Sequence, residues 1–336
     1  MITIRRPDDM HLHLRQGELL KNCISDTAGR FARALVMPNI LPPVCSAQRL
    51  TSYKSEIEEA LKELPGKPDF TPLMTFKLYP DMKEDVLEPL LKAGAVAGKL
   101  YPEGSTTNAE DGVKSWKQIR EALSFMEKKG IALSIHGERP ESFVLEREKD
   151  YLAELGAILH NYPSLKVVLE HVSSKEGVDF VLAGPPNLAA TITVHHLYLT
   201  LDDLIGGGIN PHNFCKPVVK TPRDRDAVRK AALSGNSKFF FGSDSAPHPE
   251  TSKLKKNGSA GIYTAPCALP MLASFFENNG SLDLMENFTS RFGAEFYSLG
   301  LNKGTITLEK KGFKIPLNRG SIIPFMAGED AQWSID

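Results

Sequence analysis

The chain has 336 residues, 41% hydrophobic and 24% charged, which is ordinary globular composition with ample material for a large core. Lys and Arg number 40 against 41 Asp and Glu, a formal net charge of −1, so the balance calls for neither nucleic acid nor an anionic membrane as partner. The opening nine residues lack the apolar core of a signal peptide, and no uncharged apolar run is long enough to span a bilayer.

Cys23, Cys45, Cys215 and Cys267 are far apart and form no Cys-x-x-Cys pair. A disulfide framework and a thiolate zinc site are therefore not expected, and the reducing cytoplasm is the predicted compartment. The basic run Lys253-Leu254-Lys255-Lys256 reads as a solvated loop. The length suits one large α/β domain or two smaller ones.

In chain order, residues 1–6 read as a short strand ended by Pro7, and 9–14 as a second. A buried strand over 32–37 stops at Pro38-Asn39. Over 46–64, Leu50, Tyr53, Ile57 and Leu61 recur at helical spacing, and Pro65-Gly66 closes the helix. The same rhythm continues with strand 71–78, helix 84–92, strand 93–100, helix 114–129 and strand 131–136. Helix 147–161, strand 165–170, helix 175–182 and strand 189–194 follow. A long connection covers 200–220; its three glycines, 206–208, sit in no nucleotide-binding pattern.

Thr221-Pro222-Arg223-Asp224 opens a helix well: a capping hydroxyl, a proline in the first turn, and an acid at the positive dipole end. Strand 238–242 comes next, then helices at 265–277 and 286–298, and a small β-rich extension over 301–336. Counted from residue 9, eight strands alternate mostly with helices. That pattern predicts parallel pairing closed into a (β/α)₈ TIM barrel spanning about 8–300. The whole chain, 1–336, is expected to be one domain. An open doubly wound sheet is the structural alternative, weakened by the lack of a nucleotide fingerprint after the first strand.

The unusual polar residues fall at strand ends. His11 and His13 share one face of a strand, and a pair of imidazoles can hold one metal ion. Arg15 follows on that face, where its guanidinium can grip a carboxylate. Asn39, Lys99, His136, His171 and Asp244 stand at or just past the ends of later strands. Each alone has a plain explanation, such as a rim histidine or a turn aspartate. Parallel barrels bring all strand ends to one rim, so the set can converge. Lys99 sits among small apolar residues, where a charged ammonium is costly and a neutral amine is favoured. A neutral amine can add carbon dioxide and become an anionic carbamate.

The segments His11-Leu12-His13-Leu14-Arg15, Met37-Pro38-Asn39, Gly98-Lys99-Leu100-Tyr101-Pro102, Ile135-His136-Gly137-Glu138, Glu170-His171-Val172 and Gly242-Ser243-Asp244-Ser245-Ala246-Pro247-His248 run nearly the whole chain in order. Together they resemble the dihydroorotases, the shorter bacterial type within the amidohydrolase superfamily. The resemblance implies two zinc ions bridged by carboxylated Lys99 and a hydroxide. His11, His13 and Asp244 would hold the more buried zinc, and His136 and His171 the other. Asp244 would also be the catalytic proton carrier.

Arg15, Asn39 and His248 would bind the substrate carboxylate, with backbone groups near Lys216 and Ala260 and with His13 and His136 facing the substrate. Thr106 and Thr107 would form the tip of a mobile loop. An apolar residue is expected where Lys216 stands, a departure that a main-chain contact tolerates. His195-His196 fits the family but is given no ligand role, since neighbours on a strand face opposite ways. The implied reaction is the reversible cyclisation of N-carbamoyl-L-aspartate to dihydroorotate, with a small-molecule partner and room for a homodimer. The competing readings are another cyclic amidohydrolase, such as a hydantoinase or allantoinase, and a catalytically inactive scaffold barrel.

Overall fold

The computed structural model describes residues 1–335; Asp336, at the end of the expected extension, lies outside them. After an opening strand β1 (Ile2–Arg5), eight strands form one parallel sheet in sequence order. They are β2 (Asp8–Leu12), β3 (Arg33–Val36), β4 (Thr71–Lys77), β5 (Ala95–Leu100), β6 (Ala132–Ile135), β7 (Val167–Leu169), β8 (Leu188–Ile192) and β9 (Phe239–Phe241). Every strand between β2 and β9 is parallel to the next. The sheet closes just beyond β9. There Asp244 N donates to His11 O at 2.8 Å and His13 N to Ser245 O at 3.0 Å. The Asp9 carboxylate accepts from Ser243 N at 2.8 Å, filling a position that the short β9 leaves empty. The architecture is a TIM barrel, as the alternation of strands and helices predicts.

The helix over Ala47–Lys62 buries Leu50, Tyr53, Ile57 and Leu61, the stripe visible in the sequence, and Ser46 caps it by accepting from Arg49 N. Thr221 caps the helix over Pro222–Leu233 as expected, and Asp224 does more than meet the dipole: its side chain accepts from Thr221 N, completing a capping box. At the far end of the chain, β10 (Thr305–Glu309) pairs with β1 and with β13 (Ser334–Ile335), while β11 (Phe313–Lys314) pairs with β12 (Asp330–Ala331). The tail thus takes the first strand of the chain into its own sheet.

Several elements differ from expectation. A helix over Gly17–Ala28 has no counterpart in the sequence reading; it opens without a side-chain cap, and its buried face mixes Leu20, Cys23, Ile24 and Ala28 with the polar Asp26 and Thr27. The 114–129 segment begins as a 3₁₀ turn, Trp116–Ile119, before the α-helix Arg120–Lys129. The 286–298 segment opens as a π turn, Asn287–Arg291. The 200–220 connection contains the short helix Leu201–Ile205 and the 3₁₀ turn Pro211–Asn213. His195 and His196 lie on a short helix, Val194–Tyr198, which Thr193 caps, and not on a strand. The solvated-loop reading of 253–256 fails at its first residue: Lys253 is buried, and its ammonium donates to Phe214 O at 2.8 Å and Gly261 O at 2.6 Å. None of the four cysteines is paired.

Candidate active site

The residues singled out at strand ends meet at one rim of the barrel. His11, His13, Arg15, Asn39, Thr106, Thr107, His136, His171, Lys216, Asp244 and Ala260 all line one cavity of about 350 Å³. His248 stands behind Arg15, whose Nη2 donates to its Nε2 at 2.9 Å. Three of these residues hold left-handed backbone angles: Arg15 at φ 59°, His171 at 42° and Asp244 at 43°. Such angles are uncommon for residues other than glycine and cluster at functional sites. β2 ends at Leu12, so Arg15 reaches the cavity from the turn after the strand, not from the strand face.

His11, His13 and Asp244 offer ligand atoms within 4.8 Å of one another. His11 Nε2 lies 3.4 Å and His13 Nε2 3.1 Å from Asp244 Oδ1. On the other side of the ring, His11 Nδ1 is 2.8 Å from Glu170 Oε2. A carboxylate can only accept, so Nδ1–H donates to it, and the neutral ring then presents its Nε2 lone pair, on the Asp244 side, to a cation. Thr191 Oγ1 donates to the same Glu170 oxygen at 2.6 Å and fixes its place. His136 uses the reverse arrangement: Glu138 Oε2 sits 2.7 Å from Nε2, which turns Nδ1 toward His171 Nε2 at 3.2 Å.

Burial pulls the His13 imidazole down to about 4 and His171 well below its ordinary value, so both are neutral at pH 7. Burial also pushes the Asp244 carboxyl up, but its hydrogen bonds to His11 and His13 outweigh this and hold it well below the usual carboxylate range.

Lys99 is fully buried, and its Nζ has no hydrogen-bond partner. Burial pulls its pKa down to about 8, against the opposing fields of Glu170 and Asp244. The Lys99 nitrogen lies 5.1 Å from the centre of the Tyr101 ring. An unpartnered buried amine beside imidazoles is costly unless another group completes the site. His171 Nδ1 and His13 Nδ1 are likewise buried without partners. Imidazole nitrogens, one carboxylate and a free amine suit divalent cations of the zinc type, so these residues fit a metal centre.

A second group, His195, His196 and Cys215, also brings ligand atoms within 4.8 Å. It fits a cation less well. Both His196 nitrogens are engaged, by Thr193 Oγ1 at 2.9 Å and Pro217 O at 3.1 Å, and the Cys215 thiol donates to Pro217 O.

The loop after β5 lies across the mouth. Asn39 Nδ2 donates to Thr107 O at 3.3 Å, and Asn108 Nδ2 to Asn39 O at 2.9 Å. Below it, the buried Lys77 ammonium donates to Asn108 O at 2.9 Å and pairs with Asp111. Four contributors were given no role from sequence: Tyr101, Glu138, Glu170 and Lys77. Tyr101, Glu138 and Glu170 sit inside the motifs quoted above, next to residues that did stand out. Nothing local marks Lys77 except a lysine at the end of an otherwise apolar strand.

Residues 8–322 match the model of the amidohydrolase family, so the chain is a member of that metal-dependent family. A dihydroorotase of Coxiella burnetii is 42% identical over 342 aligned residues, which cover 99% of this chain and 97% of that protein. The crystal structure of dihydroorotase from Campylobacter jejuni superposes with a TM-score of 0.91 at 37% identity, covering 99% of this chain and 97% of that one. The Saccharomyces cerevisiae dihydroorotase, solved with 5-fluoroorotic acid, gives 0.92 at 34% identity, covering 100% and 98%. Within the amidohydrolases, the chain belongs to the dihydroorotases. None of its helices is long and apolar enough to cross a membrane, among the described residues.

Proposed function

We propose that the chain interconverts N-carbamoyl-L-aspartate and (S)-dihydroorotate plus water, the third step of pyrimidine synthesis, in the cytoplasm. One observation supports this above the rest: metal-competent side chains and a carboxylate grip, Arg15 with Asn39, line one cavity, with His248 behind Arg15. We read residues 1–336 as a single hydrolase domain with a tail at about 301–336, supported by the family match over 8–322.

Two zinc ions fit the donors: His11, His13 and Asp244 for one, His136 and His171 for the other. The unpartnered Lys99 amine supports a carbamate there, which would form as the amine adds carbon dioxide and loses one proton and would offer two anionic oxygens as further metal ligands. When bound, the metals supply Lewis-acid polarisation of the amide carbonyl and a nucleophilic water at neutral pH.

The chain's own groups do the rest. Arg15 and Asn39 hold the substrate carboxylate, and the neutral His248 keeps the guanidinium in place. Asp244 uses Oδ1 toward the imidazoles, which leaves its second oxygen to take a proton from the attacking water. It then passes that proton to the departing ring nitrogen. In the direction of ring closure the same oxygen takes the carbamoyl nitrogen's proton. Thr106 and Thr107 close the mouth and exclude bulk water. Tyr101 packs beside Lys99 and shields it.

The test is a dihydroorotate hydrolysis assay on zinc-replete protein, run beside an uncharged hydantoin, with metal counted per chain. The expected result is turnover of dihydroorotate at least about 100-fold above the hydantoin, since charge-assisted bonds to the carboxylate are lost with the neutral ring. Equal turnover of hydantoin would favour a broader cyclic amidohydrolase, and metal-free inert protein would favour a scaffold.

A further inference from the structure

The catalytic cavity opens through a neck. Thr106, Thr107, Lys216 and Ala260 line both the inner cavity and an outer vestibule of about 970 Å³. The charged residues of that vestibule are Lys216, Lys256 and Glu110. Lys216 is partly buried and Lys256 is exposed, and neither makes an ion pair among the described residues. Burial pulls the Lys216 pKa down, while the nearby Glu138 and Glu110 carboxylates oppose the shift and favour its charged form. Buried Lys253 lies under the same loop, tied to Phe214 O and Gly261 O. At the inner end stands Arg15. A molecule entering the cavity therefore passes fixed positive charge from the outside inward, opposed on the vestibule wall by one glutamate.

We propose that Lys216 is a specificity-determining residue whose ammonium, with Lys256 outside it, makes the neck a charge selector. It favours the doubly charged open-chain substrate over the singly charged cyclic one. This rests on the reaction read above. Lys216 acts here through its side chain and its field, whether or not its main chain also touches the substrate.

The physics is simple. A potential at the neck stabilises a bound ligand in proportion to its charge, so the dianion gains about twice what the monoanion gains. The field is partly solvent-screened and weakens with ionic strength over about 10 Å. No variant can alter the ratio of kcat/KM in the two directions, because the overall equilibrium sets it. The selection must therefore show in the separate KM values. Removing the charge should raise the KM for the dianion by roughly the square of the factor seen for the monoanion.

The experiment measures KM in both directions at low and high salt for the parent, Lys216→Met and Lys216→Arg. Methionine keeps length and flexibility without charge. For Lys216→Met we expect KM to rise about tenfold for N-carbamoyl-L-aspartate and about threefold for dihydroorotate, with a flatter salt dependence. Lys216→Arg should restore the parent values. Equal rises for both compounds would mean a lost contact or altered packing and would overturn the selector. So would unchanged KM values, or failure of the arginine variant to restore them. A parent protein that turns over neither compound would overturn the reaction itself, which is a separate result from a working parent with an indifferent Lys216→Met.

Discussion

A lysine with no partner inside a barrel weakens the fold unless chemistry completes it, and Lys99 is such a residue. Lys99→Ala should lose the paired-metal centre, read as metal per chain, and short carboxylates should restore part of the activity by standing in for the carbamate. Full activity of Lys99→Ala without additives would remove the bridge. Arg15 makes a different demand. Its guanidinium touches the Pro247 carbonyl and His248, not the cation cluster. Arg15→Ala should keep its metals and raise KM about 10- to 150-fold, the worth of one charge-assisted bond of about 1.5–3 kcal/mol.

The candidate ligands and carboxylate-binding residues stood out in the sequence because most are odd polar side chains at or just past the end of an apolar strand. Glu138 and Glu170 did not, because their role is to orient a histidine. For Glu170 that role is defined by a contact across the barrel with His11, 159 residues away; for Glu138 it is defined by how its side chain turns back onto His136, two positions earlier, which the sequence does not show. The unusual backbone of Arg15, His171 and Asp244 was equally invisible, since φ is set by the surrounding fold.

At the scale of elements, the seam between β9 and β2 places half the site. It is held by backbone bonds around His11, His13 and Asp244, so the closure of the barrel and the placing of three candidate ligands are one event. Gly242 makes the close approach possible. A Cβ there would come within 2.8 Å of Thr191 Cγ2 and 2.9 Å of His11 Cβ. Gly242→Ala should therefore cost about 1–3 kcal/mol of stability. It should lower kcat at least tenfold, because Thr191 and His11 both bear on Glu170. A thermal melt beside a kinetic assay checks both, and an alanine variant with parental kcat would show the seam to be slack. The strands and the longer helices were readable from periodicity and caps. The helix over Gly17–Ala28 was not, since it lacks a capping side chain and owes its place to packing.

For the whole molecule, the two ends of the barrel carry separate duties. The rim at the strand C-termini holds the titratable cluster. The opposite end holds a buried ion pair: Arg33 Nε and Nη2 donate to the two Asp8 oxygens at 2.9 and 2.6 Å, with Asn302 adding a bond at 2.8 Å. Breaking it leaves a buried carboxylate short of partners, a loss of about 3–5 kcal/mol. Arg33→Met should lower Tm by roughly 4–7 °C and leave kcat at the parental value. A large loss of kcat with an unchanged Tm would contradict this division. The barrel itself was predictable from eight alternating strands and helices. The sharing of β1 with the tail was not, because antiparallel pairing between residues 2–5 and 305–308 leaves no local trace.

The most direct measurement is an anomalous difference map at the zinc edge from crystals of zinc-replete protein. Two peaks are predicted inside the ring of His11, His13, His136, His171 and Asp244, with density extending from Lys99 Nζ to lie between them. A single peak, or a bare amine at Lys99, would contradict the paired centre.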